Sequence, residues 1–204
     1  MLLASIPVAI VVEYSVAYAL WRGVRGRTLF RILYFLPVTL SWAVVGIVFR
    51  SILLEFDPTW LTNASTSLFV LVLAFHWAVF GINVLIMYAG LSTVDPALLE
   101  AATVDGAGSL RIMWRIVAPQ ARSFIDFVVM TTLILSLTNI FGLVYAFNLG
   151  GPGFGTTTLE FNLYQDGFTN GNFGLAVATG ILLMLVAMIA SLVSVVPTVR
   201  KVRR

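Results

Sequence analysis

The chain has 204 residues, 60% of them hydrophobic and 10% charged, with a formal net charge of +3 and a mean hydropathy near +1. That composition lies outside the soluble globular range, and the apolar residues run in stretches too long for a core of this size to enclose. With no Cys, one His (His76) and one Lys (Lys201), disulfides and thiolate metal sites are excluded, a protein-built zinc site lacks ligands, and no Lys follows a glycine run as a P-loop requires.

Five stretches are apolar for about 19 residues or more, enough to cross roughly 30 Å of hydrocarbon as helix. In chain order they are 2–20, 31–50, 68–90, 124–146 and 175–196. None carries the strongly charged face of a surface-lying helix, so an all-α integral membrane bundle is predicted, one transmembrane domain over 1–204. The first stretch lacks a basic leader and is followed by arginines instead of a small-residue cleavage site, so it is expected to be retained. Basic residues cluster at Arg22, Arg25, Arg27 and Arg31, at Arg111, Arg115 and Arg122, and at Arg200, Lys201, Arg203 and Arg204. The external loops 51–67 and 147–174 hold Glu55, Asp57, Glu160 and Asp166 and no basic residue, which predicts the N-terminus out and the C-terminus in. The positive charge then follows from topology, and no nucleic-acid partner is needed. The basic C-terminus is either a stop-transfer anchor or a contact for anionic membrane lipid.

Between the third and fourth stretches lies the predicted cytoplasmic loop 91–123. Asp95 suits a helix N-cap with Pro96 in the first helical position, and Gly106 suits the left-handed residue that ends this helix. Ser109 is expected to cap a second, amphipathic helix in which Leu110, Met113, Trp114 and Val117 share a face and Arg111 and Arg115 another. Pro119 ends that helix or starts the next span. Periodicity leaves two readings open: a hairpin resting on lipid headgroups with Trp114 as anchor, or a lever that transmits force.

Glu100-Ala101-Ala102, three residues, Gly106, nine residues, Ile116, one residue, then Ala118-Pro119 resembles the EAA loop. That loop marks permease subunits of binding-protein-dependent ABC importers; Ala118 stands where the pattern has Leu. The resemblance implies the type I permease fold, with Glu100, Ala101, Ala102, Asp105, Gly106, Ile116 and Pro119 coupling to an ATPase. Further segments are similar to the carbohydrate-uptake branch: Phe30-Arg31-Ile32-Leu33-Tyr34-Phe35-Leu36-Pro37, Ala89-Gly90-Leu91, and Gly150-Gly151-Pro152 followed by Thr156 to Thr158, Leu159, Tyr164 and Phe168. Gly142, Asn148 and Asp95-Pro96 depart from that branch, and family members usually carry a further N-terminal span. The implied partners are two ATPase subunits, a second homologous permease, so that the two form a heterodimer, and an extracellular solute-binding protein. ATP would be used by the ATPase, with no cofactor on this chain and no catalysis by it. The implied location is the cytoplasmic or inner membrane of a prokaryote. The turn Asn148 to Gly155 would lie outside, beneath the binding protein or as a plain loop.

Within the stretches, His76, Trp77 and Asn83 lie on the third, and Thr132, Ser136 and Asn139 follow i, i+4, i+7 on the fourth. His76 and Asn139 fall roughly 10 Å below the outer ends. These residues are candidates for a solute path, with interhelical hydrogen bonding as the alternative role. Glu13, which costs on the order of 3 kcal/mol if left alone at the bilayer centre, requires a partner or access to the cytoplasmic edge. No Lys or Arg sits well inside a stretch, so a neutral sugar or polyol is the expected cargo, with Trp42, Trp77 and Tyr145 suited to its apolar faces. The rival class is a self-sufficient secondary transporter or channel for a small polar solute.

Overall fold

Where water is absent, a backbone must satisfy its own hydrogen bonds, and apolar runs do so as helices. The structure, a computed structural model, describes residues 2–23 and 27–202, and among these every regular element is helical. Helix α1 spans Leu2–Trp21 and α2 spans Arg27–Phe35, running into a 3-10 turn at Leu36–Thr39. Then come α3 (Trp42–Phe56), the single turn α4 (Thr59–Thr62) and the long α5 (Ala64–Leu91), N-capped by the Asn63 side chain. The loop contributes α6 (Pro96–Val104), α7 (Ser109–Ile112), a π-helical turn at Met113–Val117 and α8 (Ala118–Gln120). Helix α9 spans Arg122–Thr138 and α10 spans Phe141–Asn148. Last come α11 (Leu159–Tyr164), a second π-helical turn at Gln165–Thr169 and α12 (Phe173–Val202).

Two of the five predicted stretches are not continuous helices. In 31–50 the chain turns by 109° between Ile32–Thr39 and Trp42–Phe56. Pro37 has no N–H for the helical ladder, Leu40 is extended, and the Ser41 side chain starts a new helix by accepting from the Val44 N–H. In 124–146 the helix stops at Thr138 and resumes at Phe141, with Asn139 and Ile140 between. By length and hydropathy α1, α5 and Phe173–Leu192 can each cross a bilayer among the described residues, or up to five segments if each bent pair counts as one.

Helix α5 is the shared wall of two cores. Toward the loop, its residues Val84, Met87 and Leu91 pack with Ile10, Tyr14 and Ala17 of α1, with Ala102, Ile112, Met113 and Val117, and with Val128 of α9. Toward the other end, Val70, Leu71, Ala74 and Phe75 pack with Val45 of α3, Leu143 and Phe147 of α10, and Phe161 of α11. Two glycines permit these contacts. A Cβ at Gly81 would fall 2.0 Å from the Tyr34 carbonyl oxygen, and one at Gly46 2.7 Å from that of Leu143, so α2 and α10 press on neighbouring backbone there. Helix α12 is different: only 6% of its most apolar window is buried, against 56% for α5.

Candidate functional site

The loop's first helix is closed by local chemistry at both ends. Asp95 Oδ1 accepts from the Ala97 N–H at 2.9 Å, with Pro96 in the first turn. At the far end the Ala107 N–H reaches the Ala102 carbonyl at 2.9 Å and the Gly106 N–H reaches that of Thr103 at 3.0 Å. These are the paired bonds of a Schellman motif. Gly106 has φ of 75° and open space where a Cβ would stand, so glycine is required here for its backbone alone. The residues of the motif divide by face. Ala102 is buried against the core with Ala107 beside it, while Glu100, Ala101 and Asp105 are exposed and Val104 is 88% exposed.

The second half of the loop differs from its expected form. Gly108 takes the N-cap with no side-chain bond, and Ser109 is the first helical residue. Leu110 and Trp114 are exposed, and the buried side chains are Ile112, Met113 and Val117, with Ile116 packed against them. From Met113 the turn widens: the Ala118 N–H bonds the Met113 carbonyl five residues back. The apolar face therefore follows 112, 113, 116, 117 instead of 110, 113, 114, 117. Pro119 is exposed, and α9 leaves at 77° to the segment before it.

A contact that periodicity does not signal joins this loop to α1. The Tyr14 hydroxyl donates to the Met113 carbonyl at 2.8 Å, across 99 residues of chain, and the Tyr14 ring lies 5.1 Å from that of Trp114. Tyr14 is 1% exposed.

The polar residues of the spans meet only in part. Asn83 Nδ2 donates to Glu13 Oε1 at 3.1 Å, to Oε2 at 3.2 Å, and to Thr132 Oγ1 at 3.0 Å. All three residues are buried, so Glu13 finds its partner inside the bundle, in a junction of α1, α5 and α9. Ser136 donates back to the Leu133 carbonyl at 2.7 Å. His76 Nε2 lies 2.7 Å from Ser5 Oγ, whose own proton goes to the Leu2 carbonyl, while His76 Nδ1 is buried and unbonded. Trp77 meets Phe49 edge-on at 5.5 Å between ring centres. Asn139 sits exposed in the break between α9 and α10. His76 and Asn139 thus take different surroundings.

That break is capped from a distance. Glu160 Oε2 accepts from the Ile140 N–H at 2.9 Å, placing a carboxylate on the N-terminus of α10. Burial pushes the Glu160 carboxyl above the ordinary carboxylate range, opposed by the Ile140 and Phe141 N–H groups. Around it Phe141, Tyr145, Phe161, Tyr164 and Phe168 form a connected group of rings, of which Tyr145 and Phe168 are exposed. The glycine turn beside them is tied internally: Thr156 Oγ1 donates to Asn148 Oδ1 at 2.7 Å and the Thr156 N–H to the Gly150 carbonyl at 3.1 Å. Among the described residues no cluster of three or more His, Cys, Asp or Glu could hold a metal ion.

Comparison with known proteins places these features. A family model described as the binding-protein-dependent transport system inner membrane component matches residues 5–203. An sn-glycerol-3-phosphate transport system permease protein UgpA of Rhizobium meliloti is 30% identical over 193 residues, 87% of this chain and 65% of that one. The UgpA of Agrobacterium fabrum is 30% identical over 183 residues, 82% of this chain and 61% of its own. The chain therefore spans under two thirds of the length of these relatives. Among solved structures, a bacterial ABC transporter involved in import of the acidic polysaccharide alginate superposes with a TM-score of 0.77 at 20% identity, covering 96% of this chain and 73% of the other. Its complex with an alginate pentasaccharide-bound periplasmic protein gives 0.75 at 21% identity, covering 95% and 71%.

Proposed function

The chain belongs to the family of binding-protein-dependent transport system inner membrane components, and from that membership we propose that it is a permease subunit of an ATP-driven sugar or polyol importer. In this reading it pairs with a second permease, two ATPase subunits and an extracellular binding protein, and it hydrolyses nothing itself. The residues Glu100 to Pro119 face the cytoplasm, and their exposed side receives the ATPase.

The observation that carries the reading is the division of α6 into two faces. Ala102 is locked into the core by the Schellman closure, while Glu100, Ala101, Val104 and Asp105 stand outward on a stiff, capped helix. A carboxylate beside small and apolar side chains offers a charge-assisted bond and close backbone approach to a partner groove. ATP-driven closure of the ATPase pair then moves the loop together with the spans, a two-state shift between inward and outward openings.

For the cargo, the ring group around Tyr145, Tyr164 and Phe168, with Asn139 at the adjoining break, combines flat apolar faces with an amide, as sugar rings require. The relatives are named for sn-glycerol-3-phosphate and for the acidic polysaccharide alginate; a cargo of that charge would need its compensating cation from the second permease, since this chain has no Lys or Arg well inside a stretch.

Reconstitution into vesicles with the ATPase, second permease and binding protein tests the proposal. ATP-dependent uptake is expected, and Glu100→Lys is expected to lower it at least tenfold. Uptake by this chain alone, unaffected by Glu100→Lys, would establish the self-sufficient transporter instead.

A further inference from the structure

We propose that α1 is the strut through which loop movement reaches the helix bundle, with Tyr14 as its latch on the loop and Glu13 as its pin on α5 and α9. The inference rests on the permease reading above and adds positioning residues to it.

Along the chain, the loop joins α9 only through the broken step at Ala121 and the 77° bend, a poor route for force. Through space it packs on α1, α5 and α9 together, and α1 adds a side-chain hydrogen bond. The Tyr14 hydroxyl gives its hydrogen to the Met113 carbonyl, which also receives the Ala118 N–H, so latch and π-helical turn share one oxygen. One residue earlier on α1, Glu13 accepts both bonds from Asn83, whose amide also serves Thr132. A carboxylate that is 1% exposed in an apolar bundle has no water to replace a lost partner. Rotation or sliding of α1 against α5 would strand it, so α1, α5 and α9 move as one body with the loop. Ile10, Ala17, Ile112 and Val117 are buried in the same apolar cluster as Tyr14 and Met113, which stiffens the join.

Because the chain has no native cysteine, single cysteines report on each end. In the reconstituted complex, Leu110→Cys on the exposed loop reads ATPase docking as protection from a maleimide. Thr138→Cys, exposed at the end of α9, reads opening at the far end as a faster labelling rate after trapping with ATP and vanadate. Tyr14→Phe keeps the ring and deletes the hydroxyl. The expected result is unchanged protection at Leu110→Cys with the ATP-dependent rise at Thr138→Cys reduced at least fivefold; Glu13→Ala acts likewise, and Glu13→Gln, which keeps an acceptor for Asn83, restores most of the rise. An equal rise in Tyr14→Phe and the unmodified background overturns the inference, as does no rise in either. Loss of protection in every background instead overturns the permease reading. If Tyr14→Phe fails to assemble, Thr132→Val carries the test, with the same reduction expected and an unreduced rise overturning the strut.

Discussion

The loop end and the opposite end of the bundle solve the same problem, the finishing of helix termini, by different means. At the loop, Asp95, Pro96 and Gly106 close α6 with bonds no more than five residues apart in sequence. At the other end, the open N-terminus of α10 is finished by Glu160, twenty residues further along the chain. The first arrangement holds its shape as a unit and can be moved whole. The second depends on the docking of α11 and comes apart when that docking does.

The largest effect is expected at the loop. Gly106→Pro forces φ near −65° on a residue held at 75°, so ATP-dependent uptake should fall more than tenfold while α5 and α10 keep their protection in hydrogen exchange. Glu160→Ala, in contrast, leaves uptake-independent evidence: an unsatisfied N–H at Ile140 costs about 1–2 kcal/mol and lowers the unfolding temperature in detergent. Asp95→Ala removes one local cap and should cost about 1 kcal/mol by the same assay. If Asp95→Ala proved more damaging than Glu160→Ala, the contrast between local and distant closure would fail.

The two ends should also part in their response to acid. Because burial raises the folded pKa of Glu160 above its unfolded value, its contribution to stability is fully present below the ordinary carboxylate range and is lost as pH rises through the raised value. Unfolding temperature measured across that window should fall with rising pH, and Glu160→Gln should flatten the slope. Smallest of all, Arg122→Ala breaks the exposed Arg122–Asp126 pair at 3.5 Å and should change stability by no more than about 0.5 kcal/mol.

The same contrast decides what was legible in the sequence. Asp95, Pro96 and Gly106 act on their own backbone, so their residue types announce the helix they bound. Hydropathy smooths over breaks, and so 31–50 and 124–146 read as unbroken, although Pro37 followed by Ser41 carries the signal of a stop and a new start. Glu13 declares by its charge that it needs a partner inside an apolar stretch, but nothing in the chain order names Asn83. Tyr14 makes no such demand, since a tyrosine in a span is unremarkable until Met113 is brought beside it. Ser109 loses the cap to Gly108, whose backbone is extended while Ser109 is already helical, and the wide turn at Met113–Val117 shifts which residues face inward beyond it.

That wide turn makes residue counting a constraint in its own right. Each residue of helix advances the chain by about 100° around its axis. Deleting one position within Met113–Val117 would let the π-helical turn close to an ordinary one, so the helix beyond it would keep its phase. An insertion finds no such slack, because the turn is already widened, and would swing Ala118 and the residues after it by that angle. Substitutions such as Ala for Leu at position 118 leave the phase intact, so this turn tolerates the loss of a residue better than the gain of one.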